Sequence, residues 1–433
     1  MTLMNDPIAA SLPACCEEGA RASTITRRSL LKALGIGAAV ATVSPMVNMR
    51  AAFAADAGWT GDTIVILSLR GGFDGLSAVA PIGDPAYATN RPSIAVPSSK
   101  AFQLDSMFGM HPSLSSLQPL WSGGKLAFVQ AAGLPSPNRS HFSAMDELER
   151  AAPGTSARTG WLDRTIGLHA AGGPFGAVQL GSTDIPESLA GPWPVLGMSS
   201  IDSFKLSSAG DTASRARWST ALNAFHNNAP AELADTAATT LSALDTAATL
   251  SAGTYVPDNG AAYPSSNLGD ALQNAAQLIK ANVGTRVITI DEGDWDMHSG
   301  LGSVDNGWMH NNLTNLGDAL GAFATDLGTA MDSVTLVTIS EFGRRVQENE
   351  SGGVDHGWGN LMMVLGGHVN TAVHGTWPTL ADAALTDGDL TATTDYRAVL
   401  ADVLVNRTGA SAAQVQEVFP NYSGTTLGVT TAV

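Results

Sequence analysis

Cysteine is almost missing. The only two among 433 residues, Cys15 and Cys16, precede a pair of arginines near the N-terminus. If that leading segment is removed none remains, which excludes disulfide staples, thiolate metal sites and a cysteine nucleophile. Any metal must then be held by Asp, Glu and His, ligands that suit Zn, Mn, Mg or Ca. Basic residues are also scarce, 22 against 39 acidic, for a formal charge of −17. So acidic a chain repels phosphate backbones, and nucleic acid is not an expected partner. For most of these charges, keeping the protein in solution is reason enough.

Long hydrophobic runs are lacking too. The segment 33–43 is too short and too weakly apolar for a stable span, and no second span follows it. It is instead the middle of a three-part export signal, between Thr26-Arg-Arg-Ser-Leu-Leu-Lys32 and a small-x-small cleavage site at Ala52-Phe-Ala54. Arg27 and Arg28 resemble the twin-arginine signature, which implies export of an already folded protein to the periplasm, the cell envelope or the exterior. The twin-arginine export machinery is then an expected partner; an ordinary secretory signal or an uncleaved anchor is the alternative. Removing residues 1–54 takes away five basic and three acidic residues, leaving the mature chain more negative, at −19.

What is present is ample material for a core, 44% hydrophobic residues. β-Branched apolar runs recur at 63–69, 126–130, 177–180, 195–198, 286–290, 334–339 and 361–365. Helical spacings lie between several of them, as at Leu313, Leu316, Leu320, Phe323 and Leu327. Near-continuous apolar strands separated by helices predict an α/β fold: a doubly wound, mostly parallel sheet with helices on both faces. One domain is expected over 55–433, with an Ala-rich helical insertion at about 205–255. Tyr396 to Leu404 reads as an amphipathic helix of the core.

In such a sheet, ligands gather at the carboxyl ends of the strands, and the ionisable residues fall there. The first run enters Arg70-Gly-Gly-Phe-Asp74, where Asp74 is either a ligand or the cap of a following helix. The second leads to Ser140, flanked by Arg139 and His141 at a predicted helix N-terminus. There a hydroxyl could attack an anionic centre, or Ser140 is a plain N-cap. The run 286–290 enters Asp291-Glu-Gly-Asp-Trp-Asp-Met-His298. With His298, either Asp296 or Asp294 could reach one cation; a solvated acidic loop is the alternative. The run 334–339 ends in Glu341 and Arg344, the carboxylate a ligand or a bridge to arginine, the guanidinium a fork for phosphate or sulfate. Asp355 and His356, flanked by glycines, precede the next run. His111, His310, His368 and His374 have no comparable neighbours.

Five ordered motifs carry a resemblance: Arg70-Gly-Gly-Phe-Asp-Gly-Leu76, Arg139-Ser-His-Phe142, Asp294-Trp-Asp-Met-His298, Ser340-Glu-Phe-Gly-Arg344 and Gly353-Val-Asp-His-Gly357. Following a twin-arginine signal, they resemble the bacterial family known as domain of unknown function 1501, itself similar to the alkaline phosphatase and sulfatase superfamily. The resemblance implies an alkaline phosphatase-like fold and two divalent ions held by Asp74, Asp296, His298, Asp355 and His356. It implies Ser140 as nucleophile, with Arg139 and Arg344 beside it, acting on a small or polymer-borne phosphate or sulfate ester. The superfamily's wider spacing would select Asp294 rather than Asp296. A sulfatase signature Cys-x-Pro-x-Arg is absent, which rules out a formylglycine nucleophile. Neither His368 nor His374 matches the superfamily's last histidine. That departure leaves a second expectation open: a catalytically incomplete secreted binding or envelope-associated protein.

Overall fold

β1 (Thr63–Leu69) is apolar at every position except its first and Ser68, because both of its faces are covered. It lies inside a nine-stranded sheet in a computed structural model that describes residues 61–169, 173–206, 212–226, 229–424 and 426–432. All of these fall within one compact unit, Asn48–Val433. The expected export signal lies outside the described residues, and no helix among them is long and apolar enough to cross a membrane.

The order across the sheet is β11 (Val373–His374), β5 (Leu126–Gly133), β10 (Asn360–Gly366), β9 (Val334–Ile339), β1, β8 (Val287–Glu292), β6 (Ala177–Leu180) and β7 (Leu196–Met198). A further strand, β12 (Thr394–Asp395), also pairs with β5. The short strands β2 (Val79–Ala80), β3 (Phe102–Gln103) and β4 (Gly109–Met110) form a separate antiparallel sheet. From β7 through β6, β8 and β1 to β9, every pairing is parallel. β10 reverses, antiparallel to both β9 and β5, so β5 again points the same way as β1. The expected doubly wound, mostly parallel sheet is therefore present, with one reversed strand inside it.

Alternation along β1 assigns its side chains to two cores. Val65, Leu67 and Leu69 pack with Leu272 of the helix Asn267–Ala281 and with Leu316, Leu320 and Phe323 of the helix Trp308–Leu327. Ile64 and Ile66 face the other way, toward Leu148 of the helix His141–Arg150 and Val399 and Val403 of the helix Tyr396–Thr408. The Ala-rich stretch forms the helices Thr212–His226 and Ala231–Leu250, the second entered through Pro230.

The reversal of β10 matters for function. β1, β5, β8 and β9 all finish at one edge of the sheet, and β10 starts there. Residues that follow four strands thus meet residues that precede a fifth.

Candidate metal centre

Asp296 and His298 follow β8, Glu341 follows β9, His141 opens the helix after β5, and His356 lies just before β10. Their meeting depends on close backbone approach. At Gly71, with φ +111°, a Cβ would lie 2.8 Å from the Asp296 amide nitrogen; at Gly353 it would lie 2.3 Å from the His298 carbonyl carbon. Larger residues at either place would push the Asp296–His298 loop aside.

Three imidazoles converge on one carboxylate. His298 Nε2 is 3.0 Å and His356 Nε2 is 3.2 Å from Asp296 Oδ1, and the two nitrogens are 2.9 Å apart. His141 Nε2 lies 3.5 Å from Asp296 Oδ2 and, though buried, has no hydrogen-bond partner. The far nitrogen of each ring is occupied. His141 Nδ1 is 2.7 Å from Glu341 Oε1, His298 Nδ1 2.8 Å from Asp355 Oδ1, and His356 Nδ1 2.9 Å from the Arg139 carbonyl.

These partners assign the tautomers. A carbonyl can only accept, so His356 Nδ1 carries the proton; an ionised Asp355 demands the same of His298. In the neutral rings both Nε2 lone pairs then point at each other and at Asp296. Such convergence requires a cation or an extra proton in the middle. Three ligand atoms bound to one ion at about 2.1 Å stand about 2.9–3.4 Å apart, and the triangle of His298, His356 and Asp296 has edges of 2.9, 3.0 and 3.2 Å. The donor set and its geometry fit a divalent ion. His141, Asp296 and His356 also place their ligand atoms within 4.8 Å of one another.

Around this set the chain controls charge. Burial alone would raise the Asp296 carboxyl, but the hydrogen bond and charge of Arg344 bring it down to about 2, together with His356 and His298 when the imidazole pair carries the extra proton. Asp355 is also held below its ordinary value, chiefly by the hydrogen bond from His298. Arg344 is only 1% exposed. It donates to Asp296 Oδ1 at 2.7 Å and to the carbonyls of Gly71, Gly72, Trp295 and Val354, tying together the loops after β1 and β8 and the one before β10. Phe342 lies beneath His141 and His356, with ring centroids 4.8 and 4.6 Å away.

The structure brings together Asp296, His298, His356 and Arg344, whereas the Asp294 carboxylate accepts from Trp308 Nε1 at 2.8 Å. Other expected roles shift. Asp74 is 3% and Arg91 0% exposed. Their bidentate pair at 2.6 and 2.9 Å, with Ser77 Oγ donating to the same carboxylate, satisfies Asp74 without a metal. Drawing Asp74 onto an ion would strand a buried guanidinium, at a cost of about 3–5 kcal/mol. Asp355 meets His298 Nδ1, on the side of the ring away from the cluster. Arg139 forks onto the buried Asp389 at 2.9 and 2.5 Å, so its guanidinium is already committed. Ser140 occupies the helix N-cap, exposed, and its side chain makes no capping bond. Glu341 orients His141 and accepts from the Gly71 amide at 2.9 Å; it makes no bridge to Arg344.

His141 was the residue that sequence alone passed over, named only as a neighbour of Ser140. Like Asp296 and Glu341 it follows a strand's carboxyl end, and that placement was the available signal.

The family described as "Protein of unknown function (DUF1501)" matches residues 62–402. The chain belongs to this family. For DUF1501 the matched span includes every residue of the centre. No curated protein matches the chain. Among solved structures, a variant of TAB5 alkaline phosphatase with Mg bound in its M3 site is 11% identical, with 71% of this chain and 91% of that one covered and a TM-score of 0.27. A protein from Pyrococcus horikoshii is 12% identical, with 72% and 89% covered and a TM-score of 0.24. Neither likeness bears on the chemistry of this DUF1501 member.

Proposed function

We propose that the protein is an exported, metal-dependent hydrolase of phosphate or sulfate esters, with one divalent ion held by His141, Asp296, His298 and His356. The observation that carries this reading is the convergence of three imidazoles on Asp296, each with its far nitrogen already occupied. Carboxylate or carbonyl partners behind ligating histidines fix the ring and raise its basicity. Nitrogen-rich ligation suits Zn better than Mn, Mg or Ca. A bound divalent ion would act as a Lewis acid on an ester's phosphoryl or sulfuryl oxygen.

The chain's own groups support that role. Asp296 stays ionised, while Arg344 fixes its orientation from behind. Ser140 stands one residue before His141, where the first amides of a ten-residue helix favour negative charge. Its exposed hydroxyl, free of capping duty, is the candidate nucleophile. Export by the twin-arginine route, with a mature form that contacts neither nucleic acid nor the bilayer interior, is part of the same proposal.

A second reading, a secreted binding or envelope-associated protein with an incomplete site, draws support from the arginines. Arg139 and Arg344 are both committed to carboxylates, so neither is free to fork onto an anion. Elemental analysis and turnover of a chromogenic aryl phosphate and aryl sulfate separate the two. One divalent ion per chain and hydrolysis that disappears in Asp296→Ala support the hydrolase. A folded chain that binds metal but turns over neither ester supports the second reading, and a folded metal-free chain removes the metal centre.

A further inference from the structure

Beside the candidate centre lies a cleft of about 600 Å³. Phe142, Met145 and Glu149 form one wall, and Pro186 and Glu187 contribute the other. Gly71, His141, Asp296 and Glu341 line the same cavity, so it opens directly from the centre. Positions 142, 145 and 149 fall on one stripe of the helix His141–Arg150, running away from the histidine that begins it.

Phe142 is 91% exposed, the most exposed large hydrophobic side chain among the described residues. A bare aromatic ring next to His141 is well placed to pack against whatever enters. Charge narrows the choice. Arg70 is 2.8 Å from Glu149 and 2.8 Å from Asp291, and Arg150, just beyond, is 2.7 Å from Asp146 and 3.9 Å from Glu187. Both cations are held between carboxylates. A row of phosphates extending into the cleft would meet negative charge with neither arginine free to balance it.

We infer that the cleft takes an uncharged aromatic or long aliphatic group esterified to a single phosphate or sulfate, with Phe142 packed on that group. Nucleotides and polyphosphates are disfavoured by Asp146 and Glu187. This specificity rests on the hydrolase reading above.

The metal-loaded full chain and its Phe142→Ala variant are assayed on 2-naphthyl phosphate and sulfate, on methyl phosphate and on a nucleoside triphosphate. The expected result is that kcat/KM for the naphthyl esters falls roughly tenfold in the variant, while methyl phosphate changes by less than about twofold. An equal loss on both esters, no loss, or a preference for the triphosphate overturns the inference. If no ester is turned over, the hydrolase reading fails and binding of a naphthyl phosphonate, measured by calorimetry, decides the cleft. Weakening by Phe142→Ala keeps it; equal or absent binding removes it. Sedimentation velocity provides the remaining outcome: a wild-type dimer that Phe142→Ala dissociates would mean that a second copy covers the ring, overturning the inference.

Discussion

His356 Nδ1 donates to the backbone carbonyl of Arg139 at 2.9 Å, and the Arg139 guanidinium is in turn anchored on Asp389. Arg139, which the sequence offers only as a neighbour of Ser140, thus helps to aim a histidine. Arg139→Ala releases this anchor and should weaken metal binding roughly tenfold or more. Equilibrium dialysis against a buffered metal series checks it; unchanged affinity would leave the Arg139–Asp389 pair without a role at the centre.

Glu341 should act on the metal only through His141. Glu341→Gln keeps the shape but weakens the hydrogen bond to Nδ1, and affinity should fall by about 10–100-fold. Competition with a chromophoric chelator measures that fall, and thermal unfolding of the metal-free protein shows whether the fold is intact. Asp355→Asn should behave alike through His298.

Asp74 should matter for stability and not for metal. Asp74→Ala leaves Arg91 buried and unpaired, and should cost about 3–5 kcal/mol in urea unfolding. The folded fraction should still hold its ion. Loss of the ion from a folded Asp74→Ala protein would restore Asp74 as a ligand.

Metal-free protein should weaken toward acid. Asp296, at about 2, and Asp355, also lowered, ionise more readily in the fold than in the unfolded chain, whose aspartates titrate near 3.9. The unfolded state therefore takes up protons first as pH falls. The stability that Asp296 contributes is present above about pH 4 and is lost on the way to about 2, and that of Asp355 is lost in the same direction. Both side chains are about half exposed, so solvent screening keeps the effect modest. Urea midpoints between pH 5 and 2 should drop less steeply in Asp296→Asn than in wild type.

Much of the sheet was legible because its strands are covered on both faces and read as unbroken apolar runs. The runs at 63–69, 177–180 and 334–339 coincide with β1, β6 and β9. The direction of β10 was not legible, since apolar periodicity has no polarity. Yet that reversal decides why Asp355 and His356, which precede a strand, share an edge with Asp296, which follows one. The candidate site was half legible. Residue type and position at strand ends pointed to Asp296, His298 and His356. The pairing of Asp74 with Arg91, 17 residues away, was not legible, because no pattern links the two. Glu341 and His141 are 200 residues apart, so their pairing required the fold.

The place of β1 in the sheet carries a consequence for synthesis. Its two neighbours are β8 and β9, so residues 70–286 must be made before the first of them exists. At about 5–20 residues per second, that interval lasts roughly 10–40 s. Through it, an apolar strand emerges from the ribosome with both hydrogen-bonding edges unpaired, the condition under which chains mispair with one another. Ribosome-bound nascent chains truncated before Val287 should therefore need a chaperone that those extending well past Ile339 can release.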